Sequence, residues 1–186
     1  MTSRPWTRAG RASWPWPTSW SRATAAVPGR RRIGILTGVG VGVDRLEHSE
    51  EWRVRTFELD SNGHVNNAVY LNYAEQVAVD HAEALGFGRE WADRHQVAWA
   101  VREHHVVYHR PAVYRDLLLL TTRVQSLGGV RAVRHTTIRR EADGELLAEV
   151  TTQWVCLKVP EQRPTRIPAD LLAAYARDLG TDASRA

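Results

Sequence analysis

Asp60, Asn62, His64, Asn66 and Asn67 fall within eight consecutive residues, so a carboxylate, an imidazole and three amides share one short segment around Gly63. A carboxylate can attack an electrophilic carbon or take a proton from water, and an imidazole exchanges protons near neutral pH. A helix is predicted directly after the segment. Its first N–H groups lack intrahelical acceptors and carry partial positive charge, which favours a developing oxyanion beside Asp60 and His64. A general base next to an oxyanion site is what acyl transfer to water requires. By type alone, the same residues also suit an ordinary strand-to-helix turn, because Asp and Asn bond their own backbone and Gly accepts positive φ.

The elements that must position these groups follow from periodicity. Tyr70, Tyr73, Ala74, Val77, Ala78, His81 and Leu85 recur at spacings of three and four, marking a mostly apolar stripe on a helix from Asn67 to Leu85. Asn66 or Asn67 is expected to cap its start and Gly86 to end it. One strand is expected before the helix, at Trp52–Leu59, and four after it, at Val97–Tyr108, Leu117–Leu127, Val130–Arg140 and Leu146–Val159. Gly128-Gly129 is predicted as the two-residue turn between the third and fourth strands, and Ala142-Asp143-Gly144 as the turn between the fourth and fifth. In the last strand Leu146, Ala148, Val150, Thr152, Trp154 and Cys156 share one face, while Glu145, Glu149 and Gln153 share the other. This order implies an α+β domain, a five-stranded antiparallel sheet wrapped around a long central helix.

Asp60-x-Asn62-x-His64-Val65-Asn66-Asn67, followed by Tyr70, Tyr73 and Glu75, resembles the signature of hotdog-fold acyl thioesterases. Both the 4-hydroxybenzoyl-CoA thioesterase-like bacterial proteins and the plant acyl-ACP thioesterases share it, and the resemblance runs from about Glu51 to Leu172. It implies the hotdog fold, with Asp60 as nucleophile or general base. It further implies that backbone N–H groups at the helix start bind the thioester oxygen, with Asn66, Asn67, Ala68 and Tyr70 as the oxyanion and substrate-binding candidates. Asn62 and His64 match the Asn and His that join the Asp in the plant branch. Glu75 is a further catalytic candidate, since some hotdog thioesterases use a helix carboxylate as their base. The implied substrate is an acyl-CoA or acyl carrier protein thioester, held between subunits of a homodimer or homotetramer, and the chemistry needs no cofactor and no metal. An unpaired sheet edge points to the same self-association.

Charge is unevenly spread. Residues 1–42 hold seven arginines, four of the eight tryptophans and no acidic residue, while the remainder has 18 basic against 21 acidic residues. The formal charge of +4 therefore belongs to the leader. We expect residues 1–44 to be a disordered or misassigned Arg/Trp/Pro-rich extension and residues 45–180 to be the thioesterase domain. The basic leader lacks the stacking or groove-reading context of a nucleic-acid binder, and its apolar run from Ile33 to Val43 is too short to span a bilayer. Its glycines do not form G-x-G-x-x-G, and the chain contains neither G-x-S-x-G nor H-E-x-x-H. Adjacent His104 and His105 are expected on opposite faces of a strand, which gives no metal site. The single cysteine, Cys156, is expected as a small buried hydrophobe and fits a reducing cytoplasm.

Two function classes stand. The first is hydrolysis of an acyl thioester at Asp60. The second is a non-catalytic acyl-CoA-binding hotdog module whose leader serves as a basic interaction arm. A hydratase-type hotdog is a third, but its Asp/His arrangement is not evident. Asp60 favours hydrolysis, because a pure binder does not need a carboxylate facing a thioester.

Overall fold

The computed structural model of the protein describes residues 45–176, 178 and 179, so the expected extension over residues 1–44 lies outside the described residues. Five long strands form an antiparallel sheet in the order β1-β3-β4-β5-β2: β1 (Glu47–Arg53), β2 (Val97–Tyr108), β3 (Leu117–Gly128), β4 (Arg131–Arg140) and β5 (Leu146–Lys158). A short β6 (Arg163–Pro164) adds to β5. Helix α1 (Val69–Ala84) packs against β1, β3 and β5, while the shorter α2 (Arg89–His95) and α3 (Ala169–Ala176) lie against β2 and β3 respectively. The α+β class is as expected, and the bounds of β2 to β5 differ from the expected ones by at most one residue.

The first strand is the exception. It spans Glu47–Arg53 rather than Trp52–Leu59, because its inward positions are His48, Glu50 and Trp52, and the two polar ones hide the alternation. Val54 still donates to the Asp116 carbonyl at 2.9 Å, but the next N–H, that of Arg55, is taken by Glu58 Oε2. Thr56–Glu58 therefore folds into a 3₁₀ turn with Glu58 buried, and the chain leaves the sheet just before Asp60.

The stripe on α1 is as expected: Tyr70, Tyr73, Ala74, Val77, Ala78 and His81 are all buried. Gly86 follows the last turn at φ +78°, a conformation it adopts without a Cβ penalty. Neither Asn66 nor Asn67 is the N-cap, and the helix begins two residues later than expected, at Val69 after Ala68. Asn66 instead acts from just outside: its Oδ1 accepts the Ala68 N–H at 2.9 Å and its carbonyl accepts the Val69 N–H at 2.9 Å. The β3–β4 turn also shifts by one residue. Gly128 pairs with Arg131, leaving Gly129 and Val130 at the tip, so that only Gly129 takes a positive φ.

Two apolar clusters result. One, under the first half of α1, joins Val65, Tyr70, Tyr73 and Val77 to Leu118, Leu120, Ile138 and Leu147. The other joins Trp91 of α2 and Leu171 and Tyr175 of α3 to Val97, Val124 and Cys156 of the sheet. Cys156 is fully buried, and burial raises its thiol pKa, which suits the expected inert role. Neither α2 nor α3 was expected from the sequence, and with 7 and 8 residues each is about two turns long. Trp91 secures both, through its ring and through Nε1, which donates to Asp170 Oδ2 at 2.8 Å. No helix among the described residues is long and apolar enough to cross a membrane.

Candidate active site

The segment from Asp60 to His64 closes on itself. The Asp60 N–H donates to the His64 carbonyl at 2.7 Å, and the Gly63 N–H donates to the Asp60 carbonyl at 3.1 Å. Gly63 sits at φ +77°, which explains a glycine at this position. Inside the turn, Asp60 Oδ1 accepts the Asn62 N–H at 2.8 Å and the His64 N–H at 3.2 Å. The carboxylate is thus oriented by its own turn, and both bonds fall on one oxygen. Leu59 bridges Val65 and His64 bridges Val113, so the turn is tied at its base to the loop between β2 and β3. Asp60 and His64 are half-buried, and Asn62 is exposed.

The start of α1 borders this turn. The Ala68 and Val69 amides are already spent on Asn66, and the Leu71 amide on the Ala68 carbonyl at 3.1 Å. Among the described residues, the Asn67 and Tyr70 amides have no such acceptor. The Tyr70 hydroxyl is buried and accepts the Ala112 N–H at 3.0 Å, while the Ala112 carbonyl accepts the Val65 N–H at 2.9 Å. Burial raises the Tyr70 pKa, in keeping with a structural phenol.

Asp60, Asn62, His64, Asn67 and Tyr70 line one cleft of about 320 Å³. Five of the eight expected site residues therefore meet. Asn66 and Ala68 are adjacent but serve the helix start. Glu75 is exposed on the helix and is not among the residues lining the cleft. The far wall holds residues that sequence reasoning did not assign to the site: Tyr108, His109, Arg110 and Pro111. Tyr108 donates its hydroxyl to the Asn67 carbonyl at 2.8 Å, and burial raises its pKa. His109 Nε2 lies 2.9 Å from Glu149 Oε2, and His135 Nε2 lies 3.3 Å from Glu149 Oε1. The hydrogen bond from His109, followed by the charge of His135, holds the Glu149 carboxyl below the usual carboxylate range. The strand position of Tyr108, right at the end of β2 before a Pro-containing loop, was the one available signal. His104 is half-buried and His105 exposed, as their opposite strand faces predict.

Comparisons with known proteins identify the family and the fold. Over 119 residues the chain is 32% identical to the long-chain acyl-CoA thioesterase FadM of Escherichia coli, an alignment covering 64% of this chain and 89% of that protein. It is 22% identical over 157 residues to oleoyl-acyl carrier protein thioesterase 1 of Arabidopsis thaliana, covering 81% of this chain and 42% of the plant protein, so it spans less than half of that relative. Among solved structures, the DHNA-CoA thioesterase of Staphylococcus aureus superposes with a TM-score of 0.67 at 23% identity, over 72% of this chain and 91% of that one, a likeness of fold. The fold is the hotdog fold, as expected from the sequence. The profile of the thioesterase-like superfamily matches residues 54–175, from the end of β1 through α3 with the Asp60 cleft included, and the chain belongs to that superfamily.

Proposed function

We propose that this protein hydrolyses an acyl thioester of coenzyme A or of an acyl carrier protein to the free acid and thiol, with Asp60 as the reacting carboxylate. The observation that carries the reading is the Asp60 carboxylate, pinned through Oδ1 by the Asn62 and His64 amides in a cleft at the start of α1. Oδ2 is then the oxygen that reacts. As nucleophile, it attacks the thioester carbon, the C–S bond breaks to release thiolate, and water cleaves the resulting anhydride. As general base, it takes a proton from water while the hydroxide oxygen attacks the same carbon. In either route negative charge develops on the thioester oxygen, and the Asn67 and Tyr70 amides are the donors left to receive it, a contribution of about 10²–10³ in rate for each such donor. In both routes the C–S bond breaks, a protonated His64 gives its proton to the departing thiolate, and the imidazole recovers a proton from the water consumed.

The acyl chain and the carrier would be held between copies of the protein. β2 is an edge strand, and Val107 and Tyr108 near its end are large exposed apolar residues, which suits a homodimer or homotetramer formed through sheet edges. Glu75, exposed on its helix and outside the cleft, faces toward a contact with a second subunit in this reading. A soluble cytoplasmic enzyme is the matching setting.

The test is thiol release from short, medium, long and aromatic acyl-CoA esters and from an acyl carrier protein thioester. The expected result is turnover that Asp60→Asn lowers by about a hundredfold or more; turnover unaffected by that change overturns the reading. A single turnover in ¹⁸O water separates the routes, since only the nucleophilic one places the label in Asp60.

A further inference from the structure

A second cavity, of about 100 Å³, lies under the C-terminal half of α1, walled by Phe87, Trp99, Val124, Leu127 and Leu171. It shares no wall residue with the Asp60 cleft. Tyr70 lines the cleft and Ala82 lines this cavity, and at a helical rise of 1.5 Å per residue they lie about 18 Å apart. Tyr73 and Val77, between them, are packed into the core.

Most of the cavity wall is carbon, and the one cation in it is Arg134 of β4. Arg134 Nη1 donates to His81 Nδ1 at 2.9 Å, and its guanidinium also faces the Tyr175 hydroxyl. Both acceptors are neutral: an imidazole nitrogen that accepts from a guanidinium carries no proton, and burial raises the Tyr175 pKa. Desolvation lowers the Arg134 pKa, yet an arginine remains protonated at neutral pH. Among the described residues no carboxylate lies within ion-pair distance of it. A guanidinium has five donors in a fork that fits a carboxylate, and this half-buried one has hydrogen-bond partners but no anion beside it among the described residues. Apolar walls around one such cation describe a receptor for an acid with a hydrocarbon tail. A cavity of roughly 150 Å³ holds a six-carbon benzene ring, so this one holds about four carbons of a tail, with the carboxylate head left at its open side.

We propose that this cavity is a second, product-sensing site that binds a short aliphatic carboxylate of about four to six carbons, its head on Arg134 and its tail against Trp99 and Leu127. The product role rests on the reading of the Asp60 cleft as a thioester hydrolase, because the acid released there has this chemistry.

The experiment is a titration of the full chain with hexanoate and, separately, with hexan-1-ol, followed by tryptophan fluorescence, which Trp99 and Trp154 at the cavity report. Hexanoate is expected to give a saturable change, with hexanol at least tenfold weaker. Arg134→Met is expected to weaken hexanoate at least tenfold. If that variant does not fold, Ala82→Phe, which fills the cavity and leaves Arg134 in place, is expected to do the same. Asp60→Asn is expected to bind as the unmodified protein does. In turnover assays hexanoate is expected to lower kcat with KM unchanged. Equal binding of the alcohol, loss of binding in Asp60→Asn, competitive inhibition, or no saturable change would each overturn the proposal. Absence of turnover with hexanoate binding intact would remove only the product role and leave the acid-binding site standing.

Discussion

The two ends of α1 invert one another. At its start stands an anion among N–H donors; toward its end stands a cation among carbon atoms. Asp60 is half-buried and held by amides within four residues of it, so its orientation is a property of one turn. Arg134 is held by His81 from α1 and Tyr175 from α3, so its orientation depends on three elements staying docked. Altering a locally held charge is expected to disturb one turn, whereas altering one held by tertiary contacts is expected to loosen the elements it joins. The predictions below test that distinction, in order of expected effect.

The largest effect is at Asp60 itself. Asn keeps an Oδ1 acceptor for the Asn62 and His64 amides, while Ala keeps none. Both substitutions are expected to lower kcat/KM by about 10²–10⁴, the range for a positioned base. Only Asp60→Ala should also lower stability, by about 1–2 kcal/mol for two lost bonds at a partly exposed turn. Urea unfolding of the two variants beside their turnover separates chemistry from scaffold. Equal destabilisation by both would mean that the turn bonds do not hold the carboxylate.

Tyr70→Phe comes next. The hydroxyl is the acceptor for the buried Ala112 N–H, which would be left without a partner, at about 1–3 kcal/mol. The Ala112 carbonyl in turn accepts the Val65 N–H, so the loss should reach the turn and lower kcat several-fold with KM little changed. Urea midpoints and steady-state kinetics give both numbers. A stable variant with full activity would show that the Asp60 turn stands without its tertiary support.

This difference in how charges are held also explains what could be read in the sequence. The Asp60–Asn67 segment is chemistry compressed into neighbouring residues, and α1 follows it with an apolar stripe, so the turn, the helix and five residues of the cleft were legible. β2 to β5 were equally so, because each alternates or runs apolar between turn residues. β1 was misplaced because His48 and Glu50 face inward where the pattern asks for apolar residues. The helix cap was assigned to Asn66 or Asn67, whereas Ala68 is the N-cap and Asn66 bonds the helix start from two residues before it. Tyr108 and His109 were not assigned to the cleft because only tertiary contacts, such as the His64–Val113 bridge and the Tyr108–Asn67 hydrogen bond, bring them there, more than 40 positions from Asp60. The Arg134 cavity draws on α1, α3 and four strands, and no stretch of sequence carries its signal.

Asn66→Ala is a smaller test at the same end of the helix. It removes the side-chain acceptor of the Ala68 amide, worth about 0.5–2 kcal/mol for a capping side chain. It also frees that amide beside the cleft, so activity is expected to change less than threefold while the thermal midpoint falls. A large loss of activity at unchanged stability would instead make Asn66 a substrate contact.

The smallest effect lies at the rim, where Glu149 combines the two ways of holding a charge: it is partly exposed, as Asp60 is, but its partners His109 and His135 come from beyond the end of β2 and from β4. Its carboxyl is held below the usual range by His109 first. A depressed carboxyl pKa contributes stability that is present above the unfolded value, about 4.3 for a glutamate, and is lost as pH falls through the lower folded value. Glu149→Gln should therefore be less stable than the unmodified protein at pH 6, by about 0.2–1 kcal/mol for so exposed a pair. The gap should close as pH falls below roughly 4.3 and should shrink in high salt above it. Urea midpoints for both proteins across that range measure it. A gap independent of pH would assign the loss to packing rather than charge, and would place Glu149 with the tertiary contacts that hold Arg134 rather than with the solvated carboxylate of the Asp60 turn.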